Sequence, residues 1–184
     1  MMRSGKAENT SAQSPPMAAP SFPTDHTATT DFQQVMSGHA AGVAVVTASG
    51  AGIPTGLTVT SLTSFSSLPP SVCFNVRMTA RSHSPIVEAD SIGVHLLTAR
   101  QRRIAEVFSS RAVDKFSGLD WSWDGSVPRL PGTLAYLLCL PVAVFGHHDH
   151  SLVVAEVKRI ESQEGTPLIY LRRSLGWRLV TGNP

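Results

Sequence analysis

Short β-rich segments separated by turn residues dominate the chain, and this pattern constrains its fold more than any other feature. The segment "GVAVVTA" from Gly42 is followed by the turn "SGAGIP" and by "TGLTVTSL", in which apolar and hydroxyl side chains alternate. Segments of the same kind are "SVCFNV", "SIGVHLL", "LAYLLCLPVAVFG", "SLVVAEVKRI" and "PLIYLRR". Strands joined by short turns, with few helices, favour a mainly β, closed antiparallel barrel over a parallel sheet with helical crossovers.

The remaining segments predict a tail and three short helices. Residues 1–30 are rich in Ser, Thr, Ala and Pro, and we expect a disordered tail because such a segment buries too little apolar surface to offset its ordering entropy. A single ordered domain is expected over residues 31–180. Its predicted helices are a first one capped by Thr30 or Asp31, a second capped by Ser84, and a third over "ARQRRIAEVFSS".

Charge and hydropathy exclude several classes of protein. Lys plus Arg number 15 against 13 Asp plus Glu, and the formal net charge is +2. The basic residues are scattered, so no nucleic-acid partner is expected. No run is long enough to cross a membrane and the N-terminus lacks an apolar signal core, which predicts a cytoplasmic protein with no membrane partner. Cys73 and Cys139 each lie in an apolar run and are interpreted as two buried thiols.

Two polar segments could bind a ligand. In "TGLTVTSLTSFSSLPP" the hydroxyls form either a solvated strand face with a polar loop or a cradle for a planar heterocycle. The next segment, "NVRMTARSHSPI", places Arg77, Arg81 and Ser82 before a predicted helix. These residues form either an ordinary capped helix with solvated arginines or a phosphate site. Each segment alone is a weak signal, but together they match the two ends of a flavin.

The turn "HHDH" contains four side chains that can bind metals. His147, His148, Asp149 and His150 would have to converge from one turn, and no distant Cys, His or carboxylate cluster completes a closed site. Successive side chains of a hairpin also point to opposite faces. We therefore predict no metal site and expect His147 and His148 to be solvated, pointing away from His150.

The order of several motifs resembles the flavin reductase-like, FMN-binding split-barrel family. The pattern F-x-x-x-M-x-x-x-A-x-G-V-x-V-V-T is followed by G-L-T-V-T-S-x-T-S and S-L-P-P, and then by "DKFSGLDW", "GTLAYLLC" and "DHSLVVAEV". The resemblance covers residues 31–175. It implies an antiparallel split β-barrel with a few short peripheral helices.

The resemblance also implies an activity and its partners. Family members are NAD(P)H:flavin oxidoreductases, which reduce free FMN or FAD with NADH or NADPH and supply reduced flavin to a partner monooxygenase. The implied assembly is a homodimer with flavin sites near the subunit interface. The resemblance leaves the choice between FMN and FAD open, and also that between NADH and NADPH.

Site residues follow from the same resemblance. Those implied to bind the flavin are Pro54, Thr55, Gly56, Leu57, Thr58, Thr60, Ser61, Asn75, Val76, Arg77, Arg81 and Ser82, the last two at its phosphate. Those implied to meet the nicotinamide nucleotide are Tyr170, Arg172 and His150, and His150 is also the expected catalytic residue. Two positions depart from the family. His148 replaces the glycine of a Gly-Asp-His motif, which puts the turn geometry in question, and His39 stands where an aromatic side chain is common, which is expected to alter the packing under the flavin.

Three other interpretations remain open. The chain could bind or transport flavin without turnover, hold heme or a pyridoxal-type cofactor on the same barrel, or keep its flavin bound and act on a small substrate. NADH oxidation with added flavin, an absorption spectrum, and flavin retention on dilution distinguish them in turn.

Overall fold

The computed structural model describes residues 26–177, which contain three α-helices and twelve β-strands. The helices are α1 His26–Ser37, α2 His83–Val87 and α3 Arg102–Ser109, the last preceded by a 3-10 turn Ala99–Gln101. The strands are β1 Ala41–Gly42, β2 Ala44–Gly50, β3 Ile53–Val59, β4 Thr63–Ser67, β5 Pro70–Arg77, β6 Ile92–Leu96, β7 Ser122–Asp124, β8 Val127–Arg129, β9 Ala135–His147, β10 His150–Ser162, β11 Ile169–Leu171 and β12 Ser174–Leu175.

Seven strands form one antiparallel sheet in the order β3-β2-β6-β9-β10-β5-β4. The sheet curls so that β3, at one edge, contacts β5 near the other edge, although no ladder of the described strands joins the two. A curled sheet whose edges meet without pairing is an open, or split, barrel. Two small sheets, β1-β11-β12 and β7-β8, lie outside it.

Strand β2 is buried on both faces and separates two hydrophobic clusters. Its residues Ala44, Val46 and Ala48 join the cluster that fills the barrel. The intervening Val45 belongs to a second cluster outside the barrel, together with Phe108 of α3. A strand covered on both faces needs a continuous apolar run rather than an alternating one, which accounts for "GVAVVTA".

The described ends differ from the sequence prediction. Helix α1 begins at His26, so residues 26–30 are helical where a tail was predicted, and Asp31 lies inside the helix rather than at its cap. The other residues of the predicted tail, 1–25, and those of the predicted domain from 178 onward lie outside the described residues.

Elements without a regular apolar pattern were missed or misplaced. Segment Thr63–Ser67, predicted as a polar loop, is strand β4, and the hairpin formed by β7 and β8 was not predicted at all. Ser82, not Ser84, precedes α2, and it makes no side-chain capping hydrogen bond. The five-residue α2 is instead fixed by Ile86, which is fully buried in the barrel cluster.

The two cysteines differ in environment. Cys139 is buried, as expected, and burial raises the pKa of its thiol to about 12. Cys73 is only half-buried on β5, so the prediction of two buried thiols holds for Cys139 alone. Neither forms a disulfide.

Among the described residues, no helix combines the length and the apolar character needed to cross a membrane.

A buried histidine joins three strands of the fold. His95 of β6 is fully buried, and the backbone N–H of Leu130 donates to its Nε2 at 3.1 Å. Because Nε2 accepts, Nδ1 holds the hydrogen and donates to the carbonyl of Val45 at 3.2 Å. Burial, and to a lesser extent the charge of Arg129, lowers the pKa of His95 to about 4. The side chain is therefore a neutral structural bridge between β2, β6 and the end of β8.

Candidate active site

A cleft of about 640 Å³ lies between β3, the loop after β5 and the loop after α3. The end of β5 and the loop after it provide Arg77, Thr79, Ala80, Arg81 and Ser82, and β3 provides Pro54, Thr55, Gly56, Leu57 and Thr58. Helix α3 and its following loop provide Phe108, Ser109, Ser110, Arg111, Ala112, Val113, Lys115 and Phe116. The other two walls of the cleft therefore come from segments that are distant from β3 in the sequence.

The lining of this cleft is strongly cationic. Arg77, Arg81, Arg111 and Lys115 all contribute to it, whereas its lining includes no Asp or Glu. The whole chain has nearly equal numbers of basic and acidic residues. Such a local excess of positive charge, with guanidinium forks, suits a phosphorylated ligand.

At Gly56, the backbone of β3 packs tightly against Phe108 of α3. A Cβ at this position would lie 2.8 Å from the ring of Phe108 and 2.8 Å from the carbonyl oxygen of Val46. Its own carbonyl accepts from Ser82 Oγ at 2.9 Å and from Lys115 Nζ at 3.2 Å. Gly56 thus joins all three walls, and only glycine fits there without moving them.

Replacing Gly56 with alanine will lower the free energy of unfolding by about 1–3 kcal/mol, because the added methyl overpacks the contact with Phe108. Chemical denaturation measures the change. Gly52→Ala is the control for space, since a Cβ there meets nothing within 4 Å, although its φ of +79° adds some backbone strain. A Gly56→Ala variant no less stable than the Gly52→Ala variant would contradict the tight packing.

Lys115 was not among the predicted site residues. Its ammonium donates to the carbonyls of Phe108 at 2.8 Å and Gly56 at 3.2 Å. Burial, followed by the charge of Arg81, lowers its pKa. Asp114 fixes the turn that presents it, since Asp114 Oδ1 accepts from the backbone N–H of Phe116 at 2.9 Å. An anion between Arg81 and Lys115 would relieve the repulsion between these two cations.

Sequence reasoning missed this wall because it lies in a loop without hydrophobic periodicity. The "DKFSGLDW" motif, which contains Lys115 and Phe116, is the sequence signal that points to this wall.

Three predicted hydroxyl residues line the cleft but already have partners. Thr58 Oγ1 donates to the carbonyl of Ala105 at 2.7 Å, which holds α3 against β3. Thr55 Oγ1 donates to Ser82 Oγ at 3.1 Å, and Ser82 is buried. The hydrogen bonds of these hydroxyls stabilise the cleft wall, and the Ser82 hydroxyl donates its hydrogen to the Gly56 carbonyl.

Four other residues predicted to bind flavin are absent from the cleft lining. Thr60, Ser61 and Asn75 are exposed, and Ser61 Oγ accepts from the backbone N–H of Asn75 at 2.9 Å. Val76 is fully buried in the barrel cluster, so its side chain is not accessible to a ligand in this structure.

In the histidine-rich turn, His148 adopts a left-handed conformation at the position of the expected glycine. His148 has a φ of +48°, a left-handed conformation that favours glycine, and it occupies this conformation in a two-residue turn between β9 and β10. The ladder places His150 directly opposite Arg77 of β5 and opposite His147 of β9. His150 is therefore next to the rim of the cleft, although it does not line it.

The same register corrects one expectation. His147 and His150 are ladder partners, so their side chains share a face instead of pointing apart. His147 and His148 are both exposed, as expected. Among the residues the structure describes, no group of three or more His, Cys, Asp or Glu side chains is arranged to hold a metal ion.

The remaining predicted positions lie apart from the cleft lining. Tyr170 pairs with Ala41 in the small sheet and packs against the second hydrophobic cluster. Arg172 is exposed in the turn between β11 and β12, where its φ is +49°. His39 is exposed after α1 and does not line the cleft, so its effect on packing under a flavin stays a prediction.

Comparisons with known proteins agree with this architecture. The family model "Flavin reductase like domain" matches residues 36–177. The reductase component of 4-nitrophenol 4-monooxygenase/4-nitrocatechol 2-monooxygenase from Rhodococcus opacus is 32% identical over 146 residues, which cover 79% of each chain. The FMN reductase (NADH) SmoA of Agrobacterium fabrum is 34% identical, with 79% of this chain and 83% of the relative covered.

A solved structure of similar fold is the NADH:FAD oxidoreductase SgcE6 of Streptomyces globisporus, in complex with NAD and FAD fragments. It superimposes with a TM-score of 0.78 at 26% identity, covering 88% of this chain and 98% of that chain. The predicted antiparallel split barrel is confirmed.

Proposed function

Since the chain belongs to the family of flavin reductase like domains, we propose that its cationic cleft is where NADH or NADPH reduces FMN or FAD. The observation that supports this most directly is the set of Arg77, Arg81, Arg111 and Lys115 around a cleft whose lining includes no acid. A reductase for phosphorylated flavins needs such a charge, whereas an ordinary solvated surface does not.

The cleft fits a flavin in chemistry as well as in charge. Arg81 and Lys115 would hold the phosphate, and Arg77 and Arg111 would add charge at its side. The strand Pro54–Thr58 forms one wall of the cleft, along which a planar ring could lie. Phe108 and Phe116 give the cleft an apolar floor.

When bound, the flavin supplies the hydride acceptor, and the protein supplies binding and orientation. Thr58 and Ser82 keep β3, α3 and the cationic loop in register. His150, at the rim opposite Arg77, would contact the nicotinamide nucleotide. Tyr170 and Arg172 do not line the cleft of one chain, so any contribution from them requires another part of an assembly.

The test is steady-state oxidation of NADH and of NADPH with FMN, FAD and riboflavin, each titrated in turn. We expect turnover with at least one phosphorylated flavin, and a lower KM for that flavin than for riboflavin. Flavin binding without oxidation of either nucleotide would leave a carrier and refute the reductase. A KM for riboflavin equal to that for FMN and FAD would contradict the cationic phosphate site.

Replacing His150 with alanine will raise the KM for NADH about tenfold and leave flavin affinity near normal, because the side chain borders the cleft without lining it. Steady-state kinetics with NADH varied at saturating flavin measures the change. His39→Ala is the control, since His39 is exposed and lies outside the cleft lining. NADH kinetics unchanged in His150→Ala would remove His150 from the site.

We also propose a homodimer and an oxygenase partner. Val142, Val144 and Phe145 are exposed on the second half of β9, where apolar surface lies on both faces of the strand and a second copy of the chain would cover it. Analytical ultracentrifugation of the wild type and of Phe145→Ser would show whether this surface joins two copies. Reduced flavin leaving the cleft would pass to a flavin-dependent monooxygenase, and we propose that this exchange takes place in the cytoplasm, where NADH and NADPH are supplied.

A further inference from the structure

Three contacts join the end of β5, the loop after it and α2 to the β9–β10 turn and the start of β10. The backbone N–H of Met78 donates to the carbonyl of Asp149 at 2.8 Å. Arg77 Nε lies 4.0 Å from Asp149 Oδ2, and His83 Nε2 lies 2.8 Å from Ser151 Oγ. The cationic wall of the cleft and the histidine-rich turn are therefore mechanically connected.

Asp149 presents one carboxylate oxygen to each of two functional side chains. Its Oδ1 lies 2.8 Å from His150 Nδ1, while its Oδ2 faces Arg77. A carboxylate can only accept, so the hydrogen is on Nδ1 of His150 and Nε2 is left for a ligand. The hydrogen bond with His150 and then, more weakly, the charge of Arg77 lower the pKa of Asp149. The carboxylate is thus ionised at neutral pH.

The two contacts of Asp149 differ in strength. The contact with Arg77 is long, and the two side chains are 63% and 66% exposed, so water screens it. A phosphate dianion offers a guanidinium two parallel charge-assisted hydrogen bonds, which is a better partner than this carboxylate. A phosphate in the cleft would therefore compete with Asp149 for Arg77. Asp149 would then interact with His150 alone.

Resting on the proposed flavin site, we propose that Asp149 is a positioning residue through which the phosphate of a bound flavin strengthens nicotinamide nucleotide binding at His150. With Arg77 on the phosphate, the whole charge of Asp149 holds the His150 ring with Nε2 presented to the nucleotide. Phosphate binding in the cleft thereby orients the His150 ring for the nucleotide at the rim.

Calorimetric titration with NAD⁺, in the presence of saturating oxidised FMN or riboflavin, tests this coupling without turnover. The two flavins present the same ring and differ only in the phosphate. We expect NAD⁺ to bind the wild type about three- to tenfold more tightly with FMN than with riboflavin. In Asp149→Asn and Asp149→Ala the ratio should fall to near one. By reciprocity, NAD⁺ should tighten FMN binding more than riboflavin binding in the wild type, by the same three- to tenfold factor.

The variants preserve the turn, because the Asp149 carbonyl that accepts from Met78 belongs to the backbone. Asp90→Asn is the charge-matched control, since Asp90 is exposed and outside the cleft lining, and it should keep the wild-type ratio. Equal NAD⁺ affinities with FMN and riboflavin in the wild type, or an undiminished ratio in Asp149→Asn, overturn the coupling alone. A wild type that binds neither flavin overturns the proposed function together with this inference.

Discussion

Replacing Arg81 with alanine will raise the KM for FMN or FAD roughly ten- to hundredfold, because a charge-assisted contact to a phosphate is worth about 1.5–3 kcal/mol. The KM for riboflavin should change much less, since riboflavin has no phosphate. Steady-state kinetics with each flavin varied at saturating NADH measures both values. The expected ratio comes from Arg81 and Lys115, which lie on different walls of a cleft whose lining has no carboxylate.

Arg81→Lys separates charge from geometry in the same experiment. Lysine keeps the charge but loses the planar fork, so an intermediate KM is expected. Arg100→Ala is the matched control, because Arg100 is exposed and does not line the cleft. Equal increases of KM for FMN and riboflavin in Arg81→Ala would show that the variant disturbs the cleft as a whole and would reject the phosphate contact.

Acidification from pH 6.5 to pH 4.5 will destabilise the fold through His95 by roughly 2–3 kcal/mol. The pKa of this buried side chain is about 4, against 6.5 for an ordinary histidine. Between these two pH values, His95 binds a proton in the unfolded chain but not in the folded chain. The free energy of unfolding therefore falls as the pH drops through this window. Above the window, the contribution of His95 to that free energy does not change with pH. Urea denaturation at a series of pH values measures the slope.

His95→Gln isolates this contribution from the carboxylates that titrate nearby. Glutamine has no group that titrates in the window, so the variant should be less stable at pH 7 but should lose less stability on acidification. Subtracting the two curves leaves the effect of the imidazole. Parallel curves for the wild type and His95→Gln would show that His95 binds its proton in the folded state and would contradict its buried, neutral role.

The main β elements could be predicted because their patterns are local. The β2–β3 hairpin is visible in the alternation of "TGLTVTSL" and in the Gly-Pro turn, and β5, β6, β9, β10 and α3 follow the same kind of signal. The β7–β8 hairpin depends instead on distant partners. Thr47 Oγ1 donates to the carbonyl of Pro128 at 2.5 Å, and the charge of Arg159 meets Asp124. No window of the sequence contains those contacts.

The site was only partly predictable for the same reason. The strand Pro54–Thr58 and Arg77, Arg81 and Ser82 lie in two recognisable segments and all line the cleft. Lys115 reaches the cleft because the Asp114 turn and the carbonyl of Phe108 hold it there, a tertiary arrangement. Val76 stays a prediction, but the alternation of β5 sends its side chain into the barrel, whereas Arg77 next to it is exposed.

The edge position of β3 has a consequence for self-association. Unpaired edge strands are templates for pairing with other chains, and proteins protect them with charges, particularly lysine. Here Lys115 and Ser82 donate to the Gly56 carbonyl in the middle of that edge. The side chains that form the ligand cleft therefore also guard the strand against intermolecular pairing. A ligand bound in the cleft would also cover this edge strand, so the protein should aggregate least when the cleft is occupied.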